Sequence, residues 1–309
     1  MMFDLLFIGG SSADILLHVP RLPSHDEKLV VEYAGRQAGG MVANTACAAA
    51  RLGMRTAWAG TLGKDENGQL MVDSFREFGV DISLAQVLPD VATDFTIILL
   101  DPSGERTILV VPTSPAPAAL DPRIFSKVSE AAVVYTLPQS IEWFEPLVDA
   151  VHAGGGMIVV DVESSAPVQG AELEEIVRIS DLVFCNRRGL NLISGGDDLE
   201  KGAHRVVEIG PECVCVTLGK RGAWVSTREQ DLYYPGFEVP VVDTTGAGDC
   251  FHAAFLHGYL KKQPLDQVMR FANAAAAISV RELGPRAGLP TQVQVEDFLK
   301  SEIVKENTH

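Results

Sequence analysis

The sequence predicts an α/β protein: a doubly wound, mostly parallel sheet with helices on both faces, and a small separate β-sheet. Three observations support this class. Short apolar runs alternate with helical patterns through the middle of the chain, as in parallel strands joined by helices. One glycine pair ends the first apolar run, and another, Gly39-Gly40, begins a helix. Residues 15–37 and 92–113 instead show the alternation of strands outside such a sheet.

The first element is a buried strand, Asp4 to Ile8, which ends at a glycine pair. Asp14 follows at the edge where ligands bind in open α/β sheets, although an aspartate in an ordinary turn would also fit. Gly39 and Gly40 then begin a helix of small residues that runs to Leu52-Gly53.

The two segments outside the central sheet contain the predicted strands Phe95–Leu100 and Thr107–Val111, joined by turn residues 101–104. The Pro- and Ala-rich residues 113–119 predict a flexible joint. We therefore expect a main domain formed by residues 1–14, 38–91 and 114–309, and a smaller sheet formed by residues 15–37 and 92–113.

The remaining elements alternate in the order expected of a parallel sheet. Predicted strands are Thr56–Ala59, Ala132–Thr136, Met157–Asp161, Leu182–Cys185 and Cys213–Leu218, with a hairpin beginning at Gly222–Ser226. Predicted helices are Asn67–Phe78, Ile141–His152, Leu173–Ile179 and Leu199–Ile209.

The stretch from Asp243 to Asp249, DTTGAGD, lies between a predicted strand over residues 236–242 and a helix with apolar residues at helical spacing. Its glycines, Gly246 and Gly248, allow a tight turn, and the N–H groups that begin the helix form an anion site. Asp249 at this place would cap the helix, or would take a proton from a group that attacks the bound anion.

Two motifs carry a family resemblance. The stretch DTTGAGD resembles the carboxy-terminal signature of the ribokinase-like (PfkB) family of carbohydrate and nucleoside kinases, and residues 37–53, QAGGMVANTACAAARLG, resemble the amino-terminal signature. The similarity extends from about Phe3 to about Leu299. It implies the ribokinase-like fold, in which the small sheet covers the active site as a lid and in many members pairs with a second subunit. A homodimer through the lid sheet is therefore expected.

The resemblance also implies residue roles at the acceptor site. Asp249 would be the general base, and the backbone of Gly246, Ala247 and Gly248 would form the anion hole. The acceptor hydroxyls would be held by Asp14, Gly39, Gly40 and Asn44.

For the nucleotide, the resemblance implies ATP with Mg²⁺ and, in many members, K⁺. A Walker-type phosphate loop is absent from the sequence. The positions that match ATP-binding positions of the family are Asn186, Thr217, Gly219, Gly222, Thr244 and Asn273. Those that match the monovalent-cation loop are Asp243, Thr245, Val280 and Gly284.

This chain departs from the family pattern at three places. Gly189 stands where members carry the Glu of an N-x-x-E motif that positions magnesium, which would shift metal organisation to Glu163, Asp161 or water. Pro138 replaces an acidic contact that is common in furanose-binding members. Arg286, like Arg187 and Arg188, would be a solvated charge or would meet a phosphate.

Composition excludes several classes of function. The formal charge of -16 disfavours nucleic acid and anionic membranes as partners. The five cysteines lack metal-ligand or disulfide spacing, which predicts reduced, buried thiols. The start of the chain resembles a strand rather than a signal peptide, and a cytoplasmic location is expected.

The sequence therefore predicts an ATP-dependent kinase that phosphorylates a hydroxyl of a sugar or related polyol. A nucleoside kinase, with Tyr33 and Phe95 stacking on a base, is one alternative. A phosphosugar kinase, with Lys28 or Arg36 binding the phosphate, is another. A carbohydrate sensor without catalytic activity is a third, because Gly189 replaces the usual Glu.

Overall fold

Fourteen strands and ten α-helices form the part of the chain that the computed structural model describes, residues 2–102, 106–113, 122–164 and 166–306. The strands are β1 (Phe3–Ile8), β2 (Ser12–His18), β3 (Glu32–Gly39), β4 (Thr56–Ala59), β5 (Thr61–Gly63), β6 (Gln86–Leu88), β7 (Phe95–Leu100), β8 (Arg106–Val111), β9 (Ala131–Thr136), β10 (Met157–Val162), β11 (Leu182–Asn186), β12 (Cys213–Thr217), β13 (Ala223–Thr227) and β14 (Asp231–Tyr234). The helices are α1 (Met41–Arg51), α2 (Glu66–Phe78), α3 (Pro122–Val128), α4 (Ile141–Ala153), α5 (Gly170–Arg178), α6 (Arg187–Ser194), α7 (Leu199–Ile209), α8 (Ala247–Tyr259), α9 (Leu265–Ser279) and α10 (Gln292–Glu306).

An eight-stranded sheet is the centre of the fold, with the order β14-β13-β12-β11-β10-β9-β1-β4. The six strands from β12 to β4 are parallel, and β13 and β14 add an antiparallel edge. Continuous apolar runs form these parallel strands because both faces of the sheet are covered. Helices α1, α2, α8, α9 and α10 pack on one face, and α3 to α7 on the other. The doubly wound fold predicted from the alternation of elements is confirmed.

A four-stranded sheet with the order β3-β2-β7-β8 lies apart from the central one, and most of its residues fall within the ranges predicted for the small sheet. Strand β2 is parallel to β7, whereas β3 and β8 pair antiparallel at the two edges. The predicted strands β7 and β8 are present. Residues 103–104 of their turn and residues 114–119 of the predicted joint lie outside the described residues.

The predicted strand over residues 236–242 is wrong. The last strand of the sheet ends at Tyr234, and residues 235–242 pair with no strand among the described residues. Pro240 has no N–H for a ladder, and the side chains of Val241 and Val242 are each 59% exposed. The backbone N–H of Val242 instead donates to the Val280 carbonyl, at 2.8 Å.

The five cysteines are free and buried, as predicted. None of the helices in the described ranges is both long enough and apolar enough to cross a bilayer.

Candidate active site

The carboxyl ends of the parallel strands meet at one edge of the central sheet, as they do in every open α/β sheet. Asn186 ends β11 and pairs with Thr217 at the end of β12, and Glu163 follows β10. Two expected ATP contacts, Asn186 and Thr217, and the alternative magnesium residue Glu163 therefore lie along one edge of the sheet.

Asp249 lies in the first turn of α8 but does not cap it. The N-cap is Gly246, whose φ of 76° lies in the left-handed region that glycine adopts without strain, and Asp249 is the third helical residue. Its side chain is 8% exposed, and its Oδ2 accepts a hydrogen bond from Asn44 Nδ2 at 2.9 Å. The Asp249 carboxylate therefore joins α8 to α1 and does not cap α8.

Burial raises the pKa of the Asp249 carboxyl to about 7. The hydrogen bond from Asn44 and the charge of Arg286 lower this pKa, whereas the charges of Glu163 and Asp14 raise it further. A carboxyl with a pKa near neutrality is suited to general-base chemistry because it can both accept and release a proton.

Arg286 is buried, so the prediction of a solvated charge is wrong, while its predicted contact with a phosphate stays a prediction. It is 6% exposed, and its Nε donates to Asn44 Oδ1 at 2.9 Å. The Asn44 amide joins Arg286 to Asp249, and its expected contact with an acceptor hydroxyl stays a prediction. Sequence reasoning missed the contact with Arg286 because Arg286 and Asn44 are 242 residues apart.

Asp14 lies within β2, at the base of the small sheet, and is buried. Its Oδ1 accepts hydrogen bonds from Thr96 Oγ1 at 2.7 Å and Ser12 Oγ at 3.0 Å. Burial raises the pKa of this carboxyl, and the two hydroxyls lower it. Oδ2 lies against Gly39, where any Cβ would overlap it. The structure thus brings Asp14 and the first glycine of the Gly39-Gly40 pair together.

Several of the expected nucleotide residues lie in turns that follow β11 and β12. Asn186 Oδ1 caps α6 through the N–H groups of Arg188 and Gly189, each at 2.9 Å. Gly219, with a φ of 60°, begins the 3₁₀ turn Gly219–Arg221, and Gly222 follows this turn. These turns follow the strands that carry Asn186 and Thr217.

The other two expected ATP contacts differ in exposure. Thr244 is exposed beside the Gly246 turn. Asn273 is buried in α9, and its Nδ2 donates to the Met269 carbonyl of the same helix at 2.9 Å.

Three acidic side chains lie near each other at the end of β10 and the start of α8. Burial, together with the charges of Glu163 and Asp249, raises the pKa of Asp161 well above its usual value. Burial also raises the pKa of Glu163, which accepts a hydrogen bond from Asn186 Nδ2 at 2.6 Å. Asp161 Oδ1 has no hydrogen-bond partner in the described structure. Among the described residues no three His, Cys, Asp or Glu side chains are grouped as a complete metal site. Mg²⁺ on a nucleotide takes only one or two protein carboxylates, and Glu163 with the unpaired Asp161 Oδ1 fits that requirement.

Gly189 occupies a position that excludes a side chain. A Cβ there would overlap the carbonyl oxygen of Val162, at the end of β10. The glycine therefore lets α6 pack closely on the strand that precedes Glu163.

Asp243 connects the helix turn, the segment after α9 and the small sheet. Its Oδ1 accepts from the Thr245 N–H at 2.9 Å, and its Oδ2 accepts from the Gly284 N–H at 2.9 Å. Arg106, from β8, forms an ion pair with Asp243 at 3.2 Å and also contacts Thr245 Oγ1. Among the four expected cation-loop residues, Val280 is also close, since its carbonyl accepts from the Asp243 N–H at 3.2 Å.

A family model described as pfkB family carbohydrate kinase matches residues 2–292. The chain belongs to the pfkB family of carbohydrate kinases. The resemblance seen in the two sequence motifs is thereby confirmed. This pfkB-family chain is an ATP-dependent sugar kinase by membership, with a fold shared by ribokinases.

This pfkB-family kinase is similar to ribokinases over nearly its whole length. It is 28% identical to the ribokinase of Haemophilus influenzae, with 96% of this chain and 98% of the relative covered. It is 27% identical to the ATP-dependent ribose-1-phosphate kinase of Halopiger xanaduensis, with 96% and 98% covered. The structure of Arabidopsis thaliana ribokinase complexed with ribose and ATP superposes with a TM-score of 0.87 at 25% identity, covering 97% of this chain and 99% of that chain.

Proposed function

We propose that this kinase transfers the γ-phosphoryl group of ATP to a hydroxyl of a sugar or related polyol, with Asp249 as general base. The observation that carries the proposal is the position of Asp249: buried, in the first turn of a helix, with a pKa raised to about 7. A similar ribokinase was determined with ribose and ATP, which supports a sugar as acceptor.

In this proposal Asp14 holds the acceptor. Ser12 and Thr96 fix one oxygen of its carboxylate, so the other can accept a hydrogen bond from a sugar hydroxyl. The backbone of Gly39 and Gly40 allows the sugar to approach closely. Asn44, whose amide contacts Asp249 and Arg286, orients the base, and its second N–H would bind an acceptor hydroxyl.

Asp249 then takes the proton of the attacking hydroxyl as that oxygen approaches the γ-phosphorus in line. The N–H groups of Gly246, Ala247 and Gly248 stabilise the charge on the transferring group, as the positive end of a helix does for anions. A Cβ at Gly248 would meet no atom within 4 Å, so space is available beside this turn.

For ATP we propose contacts at Asn186, Thr217, Gly219, Gly222, Thr244 and Asn273. Glu163, with Asp161 or water, would organise Mg²⁺, because Mg²⁺ on a nucleotide needs only one or two protein carboxylates. When bound, Mg²⁺ supplies positive charge to the phosphate oxygens. The loop of Asp243, Thr245, Val280 and Gly284 is the proposed K⁺ site.

The test is a panel of acceptors in an assay coupled to ADP formation. Ribose, fructose, nucleosides and hexose phosphates are each supplied with ATP and Mg²⁺. The proposal predicts ADP formation that depends on one sugar class and falls by about 10²–10⁴ in the Asp249→Asn variant. Full activity in the Asp249→Asn variant would show that Asp249 is not the general base.

A phosphosugar is the alternative acceptor with a specific observation in its favour. A relative 27% identical to this chain is named a ribose-1-phosphate kinase, and Arg106 places a cation beside the turn that begins α8. Arg36, by contrast, binds Glu66 and Asn67 on α2. Tyr33, a candidate for stacking on a nucleoside base, is 64% exposed. The hexose phosphates in the panel therefore matter more than the nucleosides.

We also propose that residues 15–37 and 92–113 act as a lid and that its sheet joins two subunits. The edge strand β8 exposes Ile108, Leu109 and Val110, the last to 70%. Exposed apolar residues on an edge strand favour pairing with another chain. Sedimentation should give a dimer at micromolar concentration, and Val110→Glu should shift it to monomer. A monomer in the unmodified protein would contradict this proposal.

A further inference from the structure

Arg286 is a buried cation inside the candidate active site. Of the Lys and Arg side chains in the described ranges, it is the one that is buried. It follows α9 in a loop, and its guanidinium lies over the ring of Phe75, with Cζ 5.6 Å from the ring centroid. A buried charge destabilises the fold unless its hydrogen-bond donors have partners. The partners of Arg286 therefore indicate its role.

Each nitrogen of this guanidinium donates to a different part of the fold. Nε donates to Asn44 Oδ1 on α1 at 2.9 Å, and Nη1 donates to Ser74 Oγ on α2 at 2.8 Å. Nη2 donates to the carbonyl oxygen of Gly39, the last residue of β3, at 2.9 Å. One side chain thus fixes two helices and the end of a strand of the small sheet.

The contact with Asn44 also determines which way that amide faces. A guanidinium has donors and no acceptor, so only the carboxamide oxygen of Asn44 can face Arg286. The NH₂ group of the same amide must then face Asp249, to which it donates at 2.9 Å. An amide held in this orientation stabilises the ionised form of Asp249, which accepts hydrogen bonds only.

The charges around Asp249 come from several elements and are mostly negative. Asp14 on β2, Asp161 on β10 and Glu163 after β10 are acidic, while Tyr135 on β9 and the thiol of Cys250 beside it on α8 are further ionisable groups. Arg286 is the cation that acts on both Asp14 and Asp249.

We propose that Arg286 is a positioning residue for the base: its Nε–H holds the oxygen of the Asn44 amide, so that the NH₂ group of this amide faces Asp249. This inference rests on the proposed role of Asp249 as general base. Arg286 touches no reacting atom and acts through Asn44.

The first test is the pH dependence of kcat in Arg286→Gln, compared with Arg76→Gln. Arg76 is an exposed arginine on α2 that pairs with Asp73, so its loss removes the same charge away from the site. Arg286→Gln should move the midpoint of the acidic limb of the profile upward by about one pH unit or more. Arg76→Gln should leave the midpoint in place. An unchanged midpoint in Arg286→Gln would overturn the proposal.

Chemical rescue separates charge from packing. Arg286→Ala leaves a space beside Asn44, Ser74 and Gly39 in which free guanidinium ion can place its donors. Millimolar guanidinium should raise the kcat of Arg286→Ala at least tenfold. Urea, a neutral molecule of the same shape, should not raise it. Equal rescue by both, or rescue by neither, would mean that Arg286 only fills space. If Arg286→Ala does not fold, Arg286→Lys is tested instead, because lysine keeps the positive charge. In Arg286→Lys the midpoint of the acidic limb of the pH profile should stay near that of the unmodified protein, while kcat falls.

A readout without turnover distinguishes failure of this proposal from failure of the proposed function. Carboxyl ¹³C resonances of labelled aspartates report the titration of Asp249, which is assigned by its loss in Asp249→Asn. In Arg286→Gln the titration midpoint of Asp249 should rise by about one pH unit or more. If the protein phosphorylates no acceptor but this midpoint moves, the proposed reaction fails and the coupling stands. If the midpoint does not move, the coupling is wrong whatever the reaction.

Discussion

The ionised Asp249 carboxylate should cost the folded protein stability, and Asp249→Asn should recover it. Burial raises the pKa of this group from 3.8 to about 7. Between these pH values the folded chain holds a proton that the unfolded chain has released, so the free energy of unfolding falls as pH rises through this window. About three pKa units at about 1.4 kcal/mol each give a cost of about 4 kcal/mol above pH 7, absent below pH 4. Asparagine at this position carries no such cost.

The assay is urea unfolding of the ligand-free protein at pH 5.5 and pH 8.5. The interval between the two pKa values extends about 1.5 pH units above pH 5.5. The increase in the free energy of unfolding caused by Asp249→Asn should therefore be larger at pH 8.5 than at pH 5.5 by about 2 kcal/mol. Comparing two pH values cancels any pH-independent effect of the substitution. Asp149→Asn, at an exposed position on α4, is the matched control and should show the same change at both pH values. A gain that is constant with pH, or larger at pH 5.5, would refute the reasoning.

Three further substitutions test the site and its surroundings. Asp14→Asn should raise the KM for the acceptor by about 10- to 100-fold with the KM for ATP unchanged, since it removes a charge-assisted hydrogen bond. Gly39→Ala should have a similar effect, because its Cβ overlaps Asp14 Oδ2; an unaltered acceptor KM would contradict either prediction. Gly189→Ala should lower the free energy of unfolding by about 1–3 kcal/mol, through overlap with the Val162 carbonyl. Gly196→Ala, in open space, is its control, and equal urea midpoints for the two would show the overlap to be harmless.

The central sheet could be predicted from the sequence because its strands are continuous apolar runs that alternate with amphipathic helices. Strand β11 and helix α7 show this directly, since their predicted and observed ends agree to within one residue. Residues 236–242 show the limit. Alternating polarity indicates an extended chain, but a strand also needs a neighbouring strand with which to pair. Strand β14 ends before this segment and Pro240 lacks an N–H, so among the described residues the segment has no partner strand.

Asp249 could be proposed because a carboxylate among glycines at a strand-to-helix turn is unusual. Arg286 could not be placed, because nothing within a few residues of it indicates burial. Its partners are Asn44, Ser74 and Gly39, which lie more than 200 residues away in the sequence. The contact of Arg106 with Asp243 escaped prediction for the same reason.

The most direct measurement of the central claim is ³¹P NMR of a reaction containing the protein, ATP, Mg²⁺ and the panel of acceptors. We predict that the γ-phosphate resonance of ATP decreases while one phosphomonoester resonance of a sugar grows in equal amount, and that Asp249→Asn slows both by about 10²–10⁴. ATP that is bound but never consumed with any acceptor, or a phosphomonoester formed equally fast by Asp249→Asn, would contradict the account.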